Sequence, residues 1–253
     1  MMMITLTLVS IPVMLRDRVR VRARPRDWLG IAWLGIGDAA NAALFFAAYQ
    51  RTTVAIAVLT HYLAPIFIAL MAPIVVRERP TLRTFSSVAI SFVGLVMLVE
   101  PWRTGFSRSD AIGAALGGAS AVFYCSNVLV NKRLTSVFSG SEMMFFHGLV
   151  AVPILVVLVP RGEVAFLGTV SPQSWALAFA GALGPGALCG LSFVWGLRRI
   201  AASHASVLTL LEPLVAVVLA VAFLGEDIGV VPIAGGVLIL VGALLVVTVT
   251  SPT

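Results

Sequence analysis

Long apolar runs separated by short polar stretches recur from one end of the chain to the other. Eight fuller runs occupy 28–50, 52–76, 84–99, 111–131, 143–160, 174–197, 204–224 and 229–250. A helix that crosses a bilayer needs about 20 mostly apolar residues, and these runs approach or exceed that length. A ninth run, 1–15, is shorter. At about 1.5 Å per residue it reaches roughly 22 Å against a hydrocarbon core of about 30 Å. It reads as a helix crossing a thinned bilayer or as the tail of a longer one. No basic residue precedes it and no small-residue cleavage site follows, so it is not read as a secretory signal. The connections are short and carry turn residues, as in Glu100-Pro101, Ser139-Gly140 and Pro160-Arg161-Gly162. The pattern predicts an all-α polytopic protein forming a single membrane domain over 1–253.

Composition narrows the picture. Sixty per cent of the 253 residues are apolar and 11% are charged, whereas a soluble domain is about 25% charged. Such a chain is neither disordered, nor a secreted disulfide scaffold, nor an ordinary cytosolic enzyme. Cys125 and Cys189 lie inside apolar runs with no CxxC partner and no histidine at ligand spacing, so they read as small packed residues. No metal and no cofactor are expected.

The net charge is +6, and 16 of the 17 basic residues are Arg. No RNA-binding or helix-turn-helix pattern accompanies them, so nucleic acid is not an expected partner. Membrane orientation accounts for them better. One set of alternate connections holds 13 of these residues, in 16–26, at Arg77, Arg79 and Arg83, at Lys132 and Arg133, and at Arg198 and Arg199. The other set holds 4: Arg51, Arg103, Arg108 and Arg161. Lys and Arg in short loops stay on the cytoplasmic side, which puts the C-terminus in the cytoplasm. Between Arg16 and Arg26 an Arg stands at every second position. That run reads as a solvated cytoplasmic connection, with a strand or an arm on anionic headgroups as alternatives.

The two halves of the chain match at a fixed offset of 148 residues. Arg51 falls on Arg199, Leu63 on Leu211, Pro65 on Pro213, Ala72 on Ala220, Glu78 on Glu226 and Gly94 on Gly242. Across 49–99 there are 9 identities in 51 ungapped positions. Apolar helices match by composition, so the informative part is the colinear order of Pro, Glu and Gly. The charge alternation runs the Pro65 helix toward the cytoplasm and the Pro213 helix away from it. The halves are therefore expected to be inverted, the construction of many secondary transporters, with a substrate site near the midplane. Repeat one covers 1–101 and repeat two 110–250. The counterpart of 111–131 falls before residue 1, so repeat one lacks its first helix. About nine spans are expected, or a tenth encoded upstream of the three consecutive Met residues.

Several motifs carry a resemblance. Thr60-His61-Tyr62-Leu63-Ala64-Pro65 followed by Glu78 resembles the fourth helix of EamA-type members of the drug/metabolite transporter superfamily. Leu210-Leu211-Glu212-Pro213 followed by Gly225-Glu226 looks like their ninth, and 235–242 is similar to their tenth. The resemblance covers roughly 28–250. It implies two inverted five-helix repeats, a central cavity, and export of small metabolites or drugs across the bacterial inner membrane. Arg77 departs from the pattern, standing where the family usually has Gly.

An ionisable residue at membrane depth costs roughly 2.5–3.5 kcal/mol on insertion scales and is a functional candidate by default. Asp38 lies near the middle of its run, with Asn41 on the same face. Glu212 directly precedes Pro213, which frees a carbonyl one turn back; its repeat counterpart is Ala64. His61 stands one turn before Pro65, beside Tyr62. Tyr124, Asn127 and Asn131 form one polar stripe, and Trp195 follows Ser192 by three positions. Substrate contact is expected at Asp38, Asn41, His61, Tyr62, Tyr124, Asn127, Trp195 and Glu212. For each, helix packing or a membrane anchor is the alternative. His147 is alone on an apolar face and reads as a packed core histidine. Glu78 and Glu226 read as structural, and Gly113/Gly117 and Gly186/Gly190 as close-packing pairs.

No phosphate-cradling loop, HExxH or nucleophile elbow is present, so no enzyme is expected. Without a nucleotide motif, the driving force is an ion gradient or the substrate's own. The chain reads as a secondary transporter exporting amino-acid-like or amphipathic compounds by alternating access. Its partners are a small-molecule substrate, the lipid bilayer and, as a candidate, a second copy of itself. The alternative is a non-transporting membrane partner derived from a truncated repeat.

Overall fold

The computed structural model describes residues 2–16, 23–103, 107–158, 170–225 and 227–248, and among them every regular element is helical. The helices are α1 (Met2–Arg16), α2 (Pro25–Tyr49), α3 (Val54–His61), α4 (Ala64–Val75), α5 (Leu82–Val99) and α6 (Arg108–Leu134). They continue with α7 (Gly140–Leu158), α8 (Pro172–Gly181), α9 (Cys189–Leu197), α10 (Ala202–Thr209), α11 (Leu211–Leu219) and α12 (Val230–Val247). Eight stretches of the described chain are long and apolar enough to cross a membrane, and α1 is a shorter apolar helix. Large side chains such as Ile74, Val157, Phe223 and Val230 are exposed. Water would penalise that surface, whereas hydrocarbon accepts it, because each helix satisfies its own backbone. The Arg18, Arg20 and Arg22 part of the basic run and Arg161 lie outside the described residues, as does Glu226.

The chain folds into two compact units. The first is Met1–Ala43 with Val130–Arg199; the second is Leu44–Leu129 with Ile200–Thr253. Each therefore draws on both halves of the sequence.

In the first unit, Leu6, Ile31, Leu34, Phe138, Met143, Met144 and Val194 form the core. The Trp28 ring meets Phe138 and Phe146 edge-on, at 5.3 and 4.9 Å between centroids. Glycine sets the helix spacing, since apolar surfaces in lipid gain no hydrophobic drive and close packing must substitute. At Gly35 a Cβ would lie 2.7 Å from the His147 carbonyl and 2.5 Å from Val150 Cβ, so α2 and α7 are nearly in backbone contact. α7 begins with a reciprocal cap: Glu142 N–H donates to Ser139 Oγ at 3.1 Å, and Ser139 N–H to the Glu142 carboxylate at 2.8 Å. Between α8 and α9 the helix widens to a π-helical stretch, Ala182–Leu188, with Cys189 N–H reaching back to Gly184 O. Pro185 lies in that stretch and has no N–H to give the ladder, a recognised cause of such bulges.

In the second unit the 148-residue offset reappears in space. It carries Val54–His61 onto Ala202–Thr209 and Leu82–Val99 onto Val230–Val247, residue for residue at both ends. α5 and α12 cross antiparallel. A Cβ on Gly94 would stand 2.6 Å from Gly235 O and 2.9 Å from Ile239 N. A Cβ on Gly242 would stand 2.9 Å from Ser87 O and collide with Ser91 Oγ. The offset exchanges these two sets of neighbours: 87 with 235, 91 with 239, and 94 with 242. Two equivalent helices meeting in this way run in opposite directions about a local two-fold axis. The apolar clusters obey the same relation: Ala69, Val207, Val246 and Ile66 of one map onto Val217, Leu59, Leu98 and Leu214 of the other.

The same relation explains a strained residue. Gly225 ends its helix at φ 68°, and its counterpart Arg77 is held at φ 58°. Left-handed backbone costs a non-glycine residue about 1–2 kcal/mol, and Arg77 bears this where the resembling family uses Gly. Arg77→Gly is expected to stabilise the protein by about 1 kcal/mol, seen as a rise of about 2–4 °C in the thermal midpoint in detergent. The basic side chains of Arg79 and Arg83 remain to hold orientation. A midpoint that stays level or falls would show that the arginine side chain contributes more than the strain costs.

Candidate functional site

The polar groups of the second unit gather where two equivalent spans are broken. Pro65 and Pro213 have no N–H, so the ladders ahead of them tighten: Leu63 N–H bonds Thr60 O at 3.3 Å, and Leu210 N–H bonds Val207 O at 3.1 Å. α3 ends at His61 and α4 restarts at Ala64; α10 ends at Thr209 and α11 restarts at Leu211. Tyr62 sits at the first break and Glu212 just after the second. The Tyr62 hydroxyl donates to Glu212 Oε2 at 2.8 Å. The two breaks, 150 residues apart in sequence, are thus joined by one charge-assisted hydrogen bond.

His61 extends the cluster to α6. Its Nδ1 is 2.8 Å from Ser120 Oγ, and Ser120 donates its own hydrogen to Gly117 O at 2.7 Å. The serine can then only accept from the imidazole, which fixes the tautomer with hydrogen on Nδ1. The ring packs among aromatic faces: Phe45 at 4.4 Å, Tyr124 at 5.4 Å and Tyr62 at 5.6 Å between centroids. Tyr49 packs edge-on against Phe45 at 4.7 Å. Gly117 permits the approach, because a Cβ there would strike Thr60. Asn127, buried, follows Tyr124 by three positions on α6.

The remaining expected residues, Asp38, Asn41 and Trp195, belong to the first unit. Asp38 Oδ2 is 2.8 Å from His147 Nε2, so the histidine that looked solitary in sequence has a charged partner on another helix. Asn41 Oδ1 and Asn131 Oδ1 are buried without a hydrogen-bond partner, an arrangement that is costly unless a ligand or water completes it. Trp195 is 60% exposed. The Arg199 guanidinium carbon lies 3.5 Å from its ring centroid, in the basic connection that follows α9. That environment suits an interfacial anchor. An open cleft of about 310 Å³ borders it, lined by Val13, Ser141, Leu191, Ser192 and Arg198 among others.

Glu78 has a local role: both its oxygens accept from the Ala202 N–H, at 3.0 and 2.8 Å, holding the start of α10. Sequence reasoning passed over Phe45, Tyr49 and Ser120. Ser120 was within reach, since it precedes Tyr124 by one turn and extends the same polar stripe. Phe45 and Tyr49 read as ordinary apolar positions.

The model of the EamA-like transporter family matches residues 1–100 and 111–248. An uncharacterized transporter of Archaeoglobus fulgidus is 26% identical over 239 residues, covering 94% of this chain and 81% of the relative. The uncharacterized transporter YxxF of Bacillus subtilis is 23% identical over 223 residues, covering 83% of this chain and 69% of its own. A protein of known crystal structure superposes with a TM-score of 0.81 at 19% identity, covering 98% of this chain and 87% of that one, and so shares the fold. With only helices as regular elements among the described residues, many of them long and apolar enough to cross a membrane, and with the family model matching both halves, the chain belongs to the EamA-like transporter family.

Proposed function

We propose that the protein is a secondary transporter that exports amphipathic or amino-acid-like metabolites by alternating access. Its place is the bacterial cytoplasmic membrane, with its C-terminus inside. The observation that carries this reading is the pair of repeat-equivalent helices broken at mid-span and joined through Tyr62 and Glu212. Broken helices free backbone groups at membrane depth, and lipid tolerates such groups only where protein or a watery cavity receives them. The side chains collected there suit a ligand with an apolar body and one polar end. Phe45, Tyr49 and Tyr124 supply flat faces, and His61 and Glu212 supply directional polar contacts. The repeats 1–101 and 110–250 are the units whose exchange of roles would open the site to each side in turn.

Reconstitution tests it. Purified full-length chain in liposomes, given a panel of radiolabelled zwitterionic and amphipathic metabolites, is expected to carry at least one of them faster than empty vesicles. Absence of flux across the whole panel in both directions would refute transport. Reporter fusions after residues 80 and 228 should lie on opposite sides of the membrane; same-side signals would refute the inverted threading.

A further inference from the structure

His147 lies within α7 and is only 2% exposed. Both its ring nitrogens are engaged. Nδ1 is 2.8 Å from the Met143 carbonyl one turn earlier, and a carbonyl only accepts, so Nδ1 carries a hydrogen. Nε2 is 2.8 Å from Asp38 Oδ2. A bare Nε2 and a carboxylate oxygen would face each other lone pair to lone pair, so that distance requires a proton between them. The proton is present whether the pair is written as imidazolium and carboxylate or as imidazole and carboxylic acid. The geometry therefore calls for one proton held between two helices.

The helices of this unit around the pair are α1, α2, α7, α9 and the end of α6. Apart from Asp38 and His147, their charged or titratable groups stand at helix ends: Arg16 in the last turn of α1, Arg26 and Asp27 in the first turn of α2 and Tyr49 at its close, Lys132 and Arg133 in the last turn of α6, Glu142 in the first turn of α7, tied to Ser139, and Cys189 opening α9. Thr7 of α1 packs at Gly148, and its hydroxyl donates to Met3 O at 2.7 Å. The two partners differ in access. The imidazole is sealed, while the Asp38 side chain is 34% exposed and offers the way in and out. Gly35, one turn before Asp38, brings α2 against the His147 carbonyl. Removing the proton turns the attraction at Asp38 into repulsion at a place where the helices have no slack.

We propose that Asp38 and His147 form the proton-binding site of this transporter, and that the proton gradient drives its transport step. One proton is bound while the pair is closed. It leaves through Asp38 when α2 and α7 part, giving a neutral imidazole, a carboxylate and a free proton, with no covalent change. This rests on the transport reading above for the coupling, though not for the binding of the proton.

The test uses full-length protein and two readouts. In proteoliposomes, flux of a carried metabolite is measured with and without an imposed pH gradient. A gradient of about one pH unit can drive up to about tenfold accumulation in a one-to-one exchange. Wild type is expected to approach that ratio, and Asp38→Asn and His147→Gln to fall to a ratio near one. The ratio is informative even for a variant slowed throughout. Variants that keep the wild-type ratio would overturn the coupling. Independently, nitrogen NMR of histidine-labelled protein in bilayers reads His147 directly, since the chain has three histidines and His147→Gln assigns its signal. In wild type Nε2 should either carry the proton or accept a hydrogen bond from the Asp38 carboxyl, and both signatures should vanish as pH is raised and be missing in Asp38→Asn at a pH where wild type shows one of them. An Nε2 that neither carries a proton nor accepts one from Asp38 at any pH overturns the site. Wild type without flux under any condition would refute the transport reading, and the NMR arm would still decide the proton site.

Discussion

Gly94→Leu is expected to remove folded protein from the membrane fraction, and Gly242→Leu to do the same. Both positions lie in the antiparallel crossing of α5 and α12, and what stands against them is largely backbone. A Cβ at Gly94 would come within 2.6 Å of Gly235 O and 2.9 Å of Ile239 N, and one at Gly242 within 2.9 Å of Ser87 O. A carbonyl in a helix cannot rotate aside as a side-chain tip can. The Ser87 hydroxyl also donates to the Gly242 carbonyl across the same contact. Extra methylenes forced into a packed interior cost about 1–3 kcal/mol, and here the helices themselves must separate, so the upper end applies. That is a large share of a total stability of about 5–15 kcal/mol. Gly118→Ala and Gly181→Ala are the controls. A Cβ at either position meets nothing within 4 Å, and alanine should gain up to about 1 kcal/mol of helix propensity. Fluorescence-detected size exclusion with a thermal ramp separates the cases. A Gly94→Leu protein that elutes and melts like wild type would show that the crossing is not needed for folding.

Tyr62→Phe and Glu212→Leu should each lower transport at least tenfold while the protein folds and inserts normally. The hydroxyl–carboxylate bond of 2.8 Å links the two helix breaks. A hydrogen bond to a charged group is worth about 1.5–3 kcal/mol, and about 1.4 kcal/mol is a factor of ten. Because both substitutions remove the same bond, the double variant should be little worse than either alone. Initial flux rates over a substrate series for wild type, both single variants and the double variant measure this. Multiplying effects, or a Tyr62→Phe protein with wild-type flux, would show that the bridge plays no part in transport.

Much of the scaffold could be read from residue order. The apolar runs 52–76 and 204–224 anticipated the spans that the structure begins at Val54 and Ala202, and the 148-residue offset related the two. Pro65 and Pro213 marked where both would break, since a missing N–H interrupts the ladder whatever surrounds it. Arg77 could be singled out because Gly occupies the equivalent place at 225, although the positive φ itself needed coordinates. The widened turn around Gly184 and Gly186 was not foreseen: Pro185 can kink, end or bulge a helix, and the neighbouring packing selects among these outcomes.

The site was legible only in part. Tyr62 and Glu212 were each singled out for their own chemistry, but their hydrogen bond was not, since their repeat relation pairs Tyr62 with Leu210 and Glu212 with Ala64. Trp195 was grouped with them for its aromatic ring and proves to stack with Arg199 in the other unit. His147 was read as a packed core histidine, because its carboxyl partner, Asp38, stands on another helix.

The apolar runs, the alternating basic connections and the offset between the halves determined by themselves that this is a many-span membrane protein of duplicated build. Each of those is a property of a segment in contact with lipid or water, and needs no knowledge of which helix lies beside which. Only the tertiary structure decided that Asp38 meets His147, that Tyr62 meets Glu212 and that Gly94 lies against Gly235. These contacts are set by the crossing points of helices distant in sequence. In lipid those crossings follow from small residues and backbone approach, which the apolar pattern of a single helix does not encode.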